Sequence, residues 1–300
     1  MSSPSEAAPD VARPASVRLT LPAQAENVAL ARQVLAGLAE ALDIGEELLA
    51  DINIAVTEAC NNVVFHAYPD GEGATEITIT SVFDQLVISV RDEGAGMNRF
   101  PGEAGAVAET SAGLGFGFAL MSSLSDQFGV DSGASGTEIR MRFAIRGKPA
   151  PDGEDLFDSA RLLDARPVPV GDIDLALTPG APAAAVLGRF ISLLAARARL
   201  SIDRMSDLQL VSDALALHAP PRALDGCFHV SAADDESGLD LRVGPLQAGG
   251  SEAIVAGATL TGVGSLLHLL SDSVASEPVS GGAPGAEVLR LRLAGGARSG

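Results

Sequence analysis

Two polar side chains on a predicted helix, Glu58 and Asn62, are of types that could act together at a phosphate. They lie four residues apart in the segment EACNNVVFHAY, 58–68, so a helix places them on one face, one turn apart. A carboxylate beside a phosphate can take a proton from an attacking hydroxyl or water, and an amide oxygen is a suitable ligand for Mg²⁺. Glu and Asn are also common on solvent-facing helices, so the pair alone does not distinguish a site from a polar surface.

A carboxylate at the end of a predicted strand is the second candidate. Asp92 follows the apolar stretch LVISV after one arginine and opens the segment DEGAG, 92–96. A carboxylate held at a strand end can accept a hydrogen bond from an exocyclic amine such as that of adenine. Gly94 and Gly96 allow positive φ and close backbone approach. An aspartate followed by glycines is also an ordinary turn, so this signal needs the others beside it.

A glycine-rich segment, GLGFG at 113–117, is the third candidate because it stands where a helix is predicted to begin. Backbone amides at a helix N-terminus form a site for anions such as phosphate. The segment is not a dinucleotide fingerprint, since no strand–helix–strand unit surrounds it. The chain has a single lysine, Lys148 in RGKPA, which excludes a P-loop and the strand lysine of eukaryotic-type kinases. Any use of ATP must follow another route.

Hydrophobic periodicity predicts the elements that position these candidates. Val17, Leu19 and Leu21 alternate with polar residues and predict a strand that ends at Pro22. Further along the chain the pattern predicts helices at 24–43 and 45–67, strands at 75–82 and 85–91, a helix from 113 to about 128, and a strand at 136–145.

The helix with ExxxN, the strand with DxGxG and the GxGxG helix occur in the order and spacing of the GHKL nucleotide-binding fold, which this chain resembles. That fold is shared by histidine-kinase catalytic domains, type II topoisomerases, mismatch-repair ATPases and a heat-shock chaperone. The wording VTEACNNVVFHAY and ISVRDEGAGM resembles the anti-sigma-factor serine/threonine kinase branch most closely. The resemblance covers about residues 16–146. It implies an α+β, two-layer sandwich with a mixed, mostly antiparallel sheet and helices on one face.

The resemblance also implies the chemistry, with ATP and Mg²⁺ as the molecules bound. Glu58 would be the general base that activates a Ser or Thr hydroxyl of a partner protein, and Asn62 would bind Mg²⁺. Phosphoryl transfer depends mainly on positioning and charge stabilisation, so few residues suffice. Several such kinases also carry a basic residue near the transferred phosphate, and the segment 97–112 offers only Arg99.

The remaining matches concern the nucleotide itself. Asp92 would hold the adenine, with Gly94 and Gly96 packed under the base and the Thr137 hydroxyl nearby. Three glycines would bound the phosphates, namely Gly113, Gly115 and Gly117. Three further residues of the matching helix are expected to be structural: His66 as a packed histidine, Tyr68, and Cys60 on the apolar face.

The second half of the chain resembles a degenerate copy of the first. Five pairs of segments occur in the same order: 19–25 with 175–183, 56–59 with 211–214, 86–96 with 239–249, 113–126 with 262–275, and 136–143 with 285–293. We therefore predict a tail at 1–15, a nucleotide-binding domain at 16–146, a linker at 147–169, and a degenerate, duplicated domain at 170–295.

The degenerate domain is predicted to bind no ATP, because its matching positions lack the necessary groups. An apolar residue cannot coordinate Mg²⁺, and proline has no side-chain acceptor. The substitutions relative to the first half are Asp213 for Glu58, Leu217 for Asn62, Pro245 for Asp92, Leu266 for Gly117 and Ala286 for Thr137.

Composition narrows the partners and the compartment. Both halves carry more acidic than basic residues, with a formal net charge of -19, which argues against binding nucleic acid. Cys60 and Cys227 lie in different halves and suggest no disulfide framework, as in a reducing compartment. No apolar run approaches the ~20 residues of a membrane span, and no signal peptide precedes residue 15. We expect a cytoplasmic protein without a membrane partner.

Three functional hypotheses remain. The first is a kinase that phosphorylates a small anti-anti-sigma partner of the STAS type and binds a sigma factor, either as a homodimer or with the second half as an internal pseudo-dimer partner. The second is a binding module in which ATP shapes an interaction surface without transfer. The third, a histidine-kinase fragment, is disfavoured because a dimerising hairpin with a phosphoacceptor histidine does not fit into the 15 residues before the first strand.

Overall fold

The computed structural model describes residues 15–69, 71–82, 84–96, 114–146, 173–235, 238–260, 264–279 and 283–294. In the first half these residues form five strands and three helices. The strands are β1 (Ala15–Pro22), β2 (Ala74–Val82), β3 (Gln85–Asp92), β4 (Gln127–Gly133) and β5 (Gly136–Ala144). The helices are α1 (Val28–Leu42), α2 (Glu46–Asn62) and α3 (Leu114–Leu124), and a π-helical turn, Val63–Ala67, continues α2.

The described residues of the second half form seven strands and four helices. The strands are β6 (Ile173–Leu177), β7 (Phe228–Asp235), β8 (Gly238–Leu246), β9 (Thr259–Leu260), β10 (Gly264–Ser265), β11 (Ser273–Pro278) and β12 (Glu287–Ala294). The helices are α4 (Ala183–Arg197), α5 (Ile202–His218), α6 (Gly250–Gly257) and α7 (Leu266–Leu270).

Ten strands join into one sheet in the order β11-β12-β8-β7-β6-β1-β2-β3-β5-β4. Every pair in it is antiparallel, so the mixed sheet expected from the sequence is antiparallel throughout the described strands. From the β1–β6 pair outward, one side of the sheet has the order β1, β2, β3, β5, β4 and the other has the order β6, β7, β8, β12, β11. On both sides the first three strands of the half are followed by its last strand and then by its last but one. This equivalence favours the predicted duplication, which stays a prediction.

A single apolar core lies between the sheet and the helices. On β1 the alternating residues Val17, Leu19 and Leu21 are all buried, as strand periodicity requires when one face meets the core. The helix α1 buries the stripe of Leu30, Val34 and Leu38, which is the period-3.6 pattern of a helix with one apolar face.

The two halves meet through both layers of the fold. In the sheet, β1 pairs with β6, with Leu19 opposite Leu175. In the helical layer, α1 crosses α4 so closely that a Cβ on Gly37 would lie 2.6 Å from the carbonyl oxygen of Ala185. Polar contacts flank the crossing: Arg197 Nη1 donates to Asn27 Oδ1 at 2.7 Å, and Arg189 pairs with Glu40 at 2.8 Å.

Most predicted elements of the first half are present, with shifted ends. The helix expected at 24–43 begins at Val28 after a short 3-10 turn, and α3 ends at Leu124, short of the predicted residue 128. The strand β4 was not predicted. The linker at 147–169 and nearly all of the predicted tail lie outside the described residues.

No apolar stretch long enough for a membrane span was predicted from the sequence, and this prediction needs a correction. The helical stretch Glu46–Ala67, of 22 residues and mean hydropathy 1.2, is long and apolar enough to cross a membrane by length and composition alone. In this fold Ile52, Val56 and Cys60 of that helix pack into the core.

Candidate functional site

The polar face of α2 meets the beginning of α3. Gly117, in the first turn of α3, is buried, and a Cβ there would lie 3.1 Å from Glu58 Oε2 and 4.0 Å from Asn62 Oδ1. Glu58 and Asn62 therefore lie on one helical face, as their spacing predicts, and that face is directed at the glycine-rich N-terminal turn of α3. A helix N-terminus attracts anions, so a carboxylate, a carboxamide and free backbone amides converge here.

The carboxamide of Asn62 has hydrogen-bonding capacity that the protein does not use. Its Nδ2 is buried, and no hydrogen-bond partner for it lies among the described residues. Such an atom normally costs stability unless a ligand or water satisfies it. No group of three or more His, Cys, Asp or Glu side chains in the described part of the chain could hold a metal ion. A Mg²⁺ ion here would depend on Asn62 together with oxygens of a bound phosphate.

Asp92 lies at the end of β3 with its carboxylate fixed by the backbone. It is 5% exposed, and its Oδ1 accepts hydrogen bonds from the N–H of Gly94 at 2.9 Å and of Thr137 at 3.2 Å. Burial raises the pKa of Asp92 above its ordinary value, while these two hydrogen bonds and the neighbouring Arg91 act in the opposite direction. Both bonds use Oδ1, which orients the carboxylate for an additional donor.

The loop after Asp92 packs directly on the end of the α2 helical stretch. The N–H of Ala95 donates to the carbonyl oxygen of Ala67 at 2.9 Å, and a Cβ on Gly94 would lie 2.2 Å from the same oxygen. Only glycine permits this approach. The contact places the loop that follows Asp92 against the C-terminal end of the helical stretch that carries Glu58 and Asn62.

The turn between β4 and β5 closes the other side of this loop. Gly96 has φ +67°, and a Cβ there would lie 1.9 Å from the carbonyl oxygen of Gly133. Gly136 approaches Asp92 in the same way, since its Cβ would lie 2.0 Å from the Asp92 carbonyl oxygen. Gly133 and Gly136 were not singled out in the sequence, because nothing local marks them as neighbours of Asp92.

Tyr68 ties three segments together at this point. Its hydroxyl donates to the carbonyl oxygen of Ala74 at 2.8 Å and accepts from the N–H of Glu93 at 2.9 Å. The predicted structural role of Tyr68 is confirmed. Cys60 is buried in the core as predicted, and burial raises the pKa of its thiol to about 12. The prediction of a packed His66 is wrong: the π-helical turn changes the helical register after Asn62, and His66 is exposed.

The remaining predicted residues are placed as follows. Thr137 lies beside Asp92 through its backbone, while its hydroxyl hydrogen-bonds the Ser132 hydroxyl at 2.8 Å. Gly115 lies in the first turn of α3. Gly113 and Arg99 lie outside the described residues.

The equivalent positions of the second half do not form a comparable cluster. Leu217, at the position of Asn62, is 69% exposed, and the exposed Asp213 accepts a hydrogen bond from Gln209 within α5. Pro245 lies within β8, while Leu266 and Ala286 are buried.

A carboxylate of the second half is instead used within the fold. Glu287, on β12, accepts hydrogen bonds from the N–H of Gly249 at 2.7 Å and of Ser251 at 3.1 Å, at the N-terminus of α6. These bonds, led by that from Gly249, lower the pKa of Glu287 below its ordinary value. This helix N-terminus is therefore already occupied by a side chain of the chain itself.

Comparison with known proteins places this geometry in context. Residues 21–143 match the family described as histidine kinase-like ATPase domain. The chain is 37% identical over 82 residues to the serine-protein kinase RsbW of Bacillus mycoides, covering 27% of this chain and 51% of that protein. It is 38% identical over 84 residues to the RsbW of Halalkalibacterium halodurans, covering 28% and 51%. The chain thus spans about half the length of the curated relatives it matches.

Two solved structures also show similarity. The crystal structure of the RsbU and RsbW domains of a Mycobacterium tuberculosis protein is 20% identical, with a TM-score of 0.33, over 43% of this chain and 32% of that one. The blue-light activated histidine kinase of Erythrobacter litoralis is 18% identical, with a TM-score of 0.29, over 37% and 39%. At these TM-scores neither similarity bears on function.

Proposed function

We propose that this chain is an ATP- and Mg²⁺-dependent serine/threonine protein kinase of the anti-sigma-factor type, because residues 21–143 match the histidine kinase-like ATPase domain family. Its substrate would be a small anti-anti-sigma protein of the STAS type, and its second partner a sigma factor whose binding regulates transcription. The relatives named serine-protein kinase RsbW support this activity over the matched region. The proposed location is the cytoplasm, where both partners act.

One observation carries the proposal: Glu58 and Asn62 face the glycine-rich start of α3, and the Asp92 loop packs on the end of the same helical stretch. Adenine would hydrogen-bond to the Asp92 carboxylate, held by Gly94 and Thr137. The phosphates would then extend along α2 toward Gly115 and Gly117, where backbone amides stabilise negative charge. In this proposal the two groups of residues would hold opposite ends of one nucleotide.

In the proposed reaction, Glu58 accepts the proton of a Ser or Thr hydroxyl as that oxygen bonds to the γ-phosphorus. The bond between the γ-phosphorus and the oxygen bridging to the β-phosphate breaks, so ADP leaves with the electron pair and the partner keeps the phosphoryl group. Asn62 would hold Mg²⁺ through its amide oxygen, and its buried Nδ2, which has no partner among the described residues, would donate to a phosphate oxygen. The ion would neutralise charge on the phosphates.

We further propose that the second half is a nucleotide-free partner of the first. Leu217 and Pro245 supply neither a ligand for Mg²⁺ nor an acceptor for adenine. The β1–β6 pair and the α1–α4 crossing at Gly37 join the halves as two subunits would be joined. An internal pseudo-dimer of this kind would take the place of a homodimer and offer the sigma factor one competent and one silent face.

The alternative is a module that binds ATP but transfers nothing. One observation favours it: the segment 97–112 contains a single basic residue, Arg99, to stabilise the transferred phosphate. Incubation of the purified chain with labelled ATP and the STAS-type protein that co-purifies with it separates the two functions. The kinase leaves phosphoserine or phosphothreonine on that protein, detected by mass spectrometry, whereas the module leaves it unmodified while ATP still binds.

A further inference from the structure

A cavity of about 420 Å³ lies at the junction of the two halves. It is lined by residues of β1, β2 and β3, of the segment before β2, and of β6 and β7, so both halves contribute. Asp92, the proposed adenine acceptor, is among these residues, whereas Glu58, Asn62 and Gly117 are not, so the cavity adjoins the proposed nucleotide site without including its phosphate end. Its volume is in the range of small-molecule sites.

The side chains of Arg18 and His229 lie on either side of the small residue Ala176 in the floor of this cavity. In the sheet register Arg18 is opposite Ala176, and Ala176 is opposite His229, so the three residues form one row across β1, β6 and β7. Neighbouring strands are about 4.8 Å apart, which places the backbones at Arg18 and His229 about 10 Å apart. The small side chain of Ala176 between them leaves room for a group of a ligand.

Arg18 is buried without adequate partners. It is 6% exposed, and its only described ion pair, from Nη1 to Glu76 Oε2, is long at 3.9 Å. Its Nη2 is buried and has no hydrogen-bond partner in the structure, although it belongs to a residue that lines the cavity. A buried guanidinium in this state is destabilising unless an acceptor is supplied.

His229, on the other side of Ala176, is also buried and also has a nitrogen without a hydrogen-bond partner. It is 7% exposed, and its Nδ1 is buried without a hydrogen-bond partner in the described structure. The nearest carboxylate oxygen, Asp174 Oδ1, is 3.6 Å away, beyond hydrogen-bond distance. Two buried nitrogens, one from each half, thus belong to residues that line the same cavity, and neither has a hydrogen-bond partner among the described residues.

Acidic groups lie on the same walls and restrict the ligand. Asp174 and Glu76 lie beside Arg18 and His229, and Glu72 and Glu93 also line the cavity. A plain anion would satisfy Arg18 but would be repelled by these carboxylates, and a plain cation would leave Arg18 Nη2 without an acceptor. A molecule that carries both charges satisfies both sets of groups.

We propose that this cavity binds a small zwitterion of the amino-acid class. The carboxylate of the ligand lies over Ala176 and accepts hydrogen bonds from Arg18 Nη2 and His229 Nδ1, and the ammonium group is directed at Asp174 and Glu76. Since β1 contributes Arg18 and β6 contributes Asp174, the ligand is held by both halves at once. The four residues that hold it, Arg18, His229, Asp174 and Glu76, have no part in the proposed nucleotide site.

The test is thermal unfolding of the full chain with each of the standard amino acids at millimolar concentration, followed by calorimetry of those that stabilise it. Succinate and inorganic phosphate serve as anion probes, and putrescine serves as a cation probe. The proposal expects at least one amino acid to raise the unfolding temperature and to bind, while the three probes do not. If no amino acid binds, or if succinate, phosphate or putrescine stabilises the chain equally well, the proposal is wrong.

Variants separate a ligand site from a merely structural arginine. Arg18→Met should weaken amino-acid binding about 10- to 100-fold, through the loss of a charged hydrogen bond. The same change should leave the unfolding temperature of the free protein equal or higher, because it removes a poorly satisfied buried charge. The near-isosteric Asp174→Asn should weaken binding at the ammonium end, and Arg146→Met, at an exposed arginine outside the cavity, should not. Undiminished binding in Arg18→Met would overturn the proposal.

Discussion

The two halves of this chain share a strand order but use their buried or capping carboxylates in opposite ways. In the first half Asp92 lies at a strand end in a buried position that raises its pKa, so its ionised form is less favourable in the fold than in water. In the second half Glu287 accepts two backbone N–H bonds at the start of α6, which lower its pKa and stabilise its ionised form. Under the proposed function the first carboxylate binds a ligand, whereas the second caps a helix of its own chain.

The residues around Asp92 also differ from those around Glu287. In the first half Gly94 and Gly96 let the loop after Asp92 lie against the carbonyl oxygens of Ala67 and Gly133, and Gly117 lies against Glu58 and Asn62. In the second half the α6 N-terminus is capped by Glu287 and an exposed leucine, Leu217, stands where the amide would be. Functional sites commonly sacrifice stability in this way, and under the proposed function the second half has no such constraint.

The largest expected effect is on transfer. Glu58→Gln keeps the size of the side chain but removes the proton acceptor, so phosphorylation of the partner should fall about 10²- to 10⁴-fold while ATP still binds. Rates are measured with labelled ATP and the co-purifying partner. The matched change in the second half, Asp213→Asn, should leave the rate unchanged. Full transfer by Glu58→Gln would show that another group is the base.

The next effect is on nucleotide affinity. Asp92→Asn should weaken ATP binding about 10- to 100-fold in calorimetry, since an amide presents a donor as well as an acceptor to the adenine amine. Glu287→Gln is the comparison variant and should bind ATP as the unaltered chain does. Equal losses in both variants would contradict the division of roles between the halves.

The Asp92→Asn variant also tests how the stability of the fold depends on pH. A carboxyl group whose pKa is raised in the fold stabilises it at pH values below its ordinary pKa, and this contribution is lost as the pH rises through the folded-state pKa. The free Asp92→Asn protein should therefore be at least as stable as the unaltered chain at neutral pH. Urea unfolding at neutral and acidic pH measures this, and a marked loss of stability at neutral pH would oppose it.

A structural effect of intermediate size is expected where the halves cross. Gly37→Ala places a methyl group 2.6 Å from the Ala185 carbonyl oxygen, so α1 and α4 must separate, at a cost of about 1–3 kcal/mol in the free energy of unfolding. Gly71→Ala has open space around its Cβ and should change stability by less than about 0.5 kcal/mol. Similar stabilities for the two variants would mean that the crossing is not tightly packed.

The smallest effect concerns the cap on α6. Glu287→Gln should lower the free energy of unfolding by about 0.3–1 kcal/mol at neutral pH, and by less at high salt. Because the pKa of Glu287 is lowered in the fold, its contribution is present above its ordinary pKa and is lost as the pH falls through the folded-state value. Denaturation curves of the variant and the unaltered chain should therefore converge in acid. A constant difference at all pH values would assign the effect to packing instead.

Much of the candidate site could be predicted from the sequence, because its residues lie in three short segments whose local patterns are strong. Asp92 directly follows a predicted strand, and the spacing of Glu58 and Asn62 fixes them on one helical face. The partners of Tyr68 could not be predicted, since Ala74 and Glu93 are distant neighbours that only the fold brings to its hydroxyl.

Other features were missed for physical reasons. The strand β4, QFGVDSG, contains two glycines and only two alternating apolar residues, Phe128 and Val130, and most of it is only partly buried at the sheet edge. The continuous sheet was also missed, because the pattern within β1 shows which face is buried but does not reveal that β6 lies beside it. The exposure of His66 follows from a π-helical turn, which has no signal in periodicity.

The central claim is that one nucleotide binds per chain, in the first half alone. Calorimetry of the full chain with Mg²⁺ and a non-hydrolysable ATP analogue measures the stoichiometry directly, alongside Asn62→Ala and its counterpart Leu217→Ala. We predict one site in the unaltered chain and in Leu217→Ala, and none in Asn62→Ala. Two sites per chain, or undiminished binding by Asn62→Ala, would contradict the account.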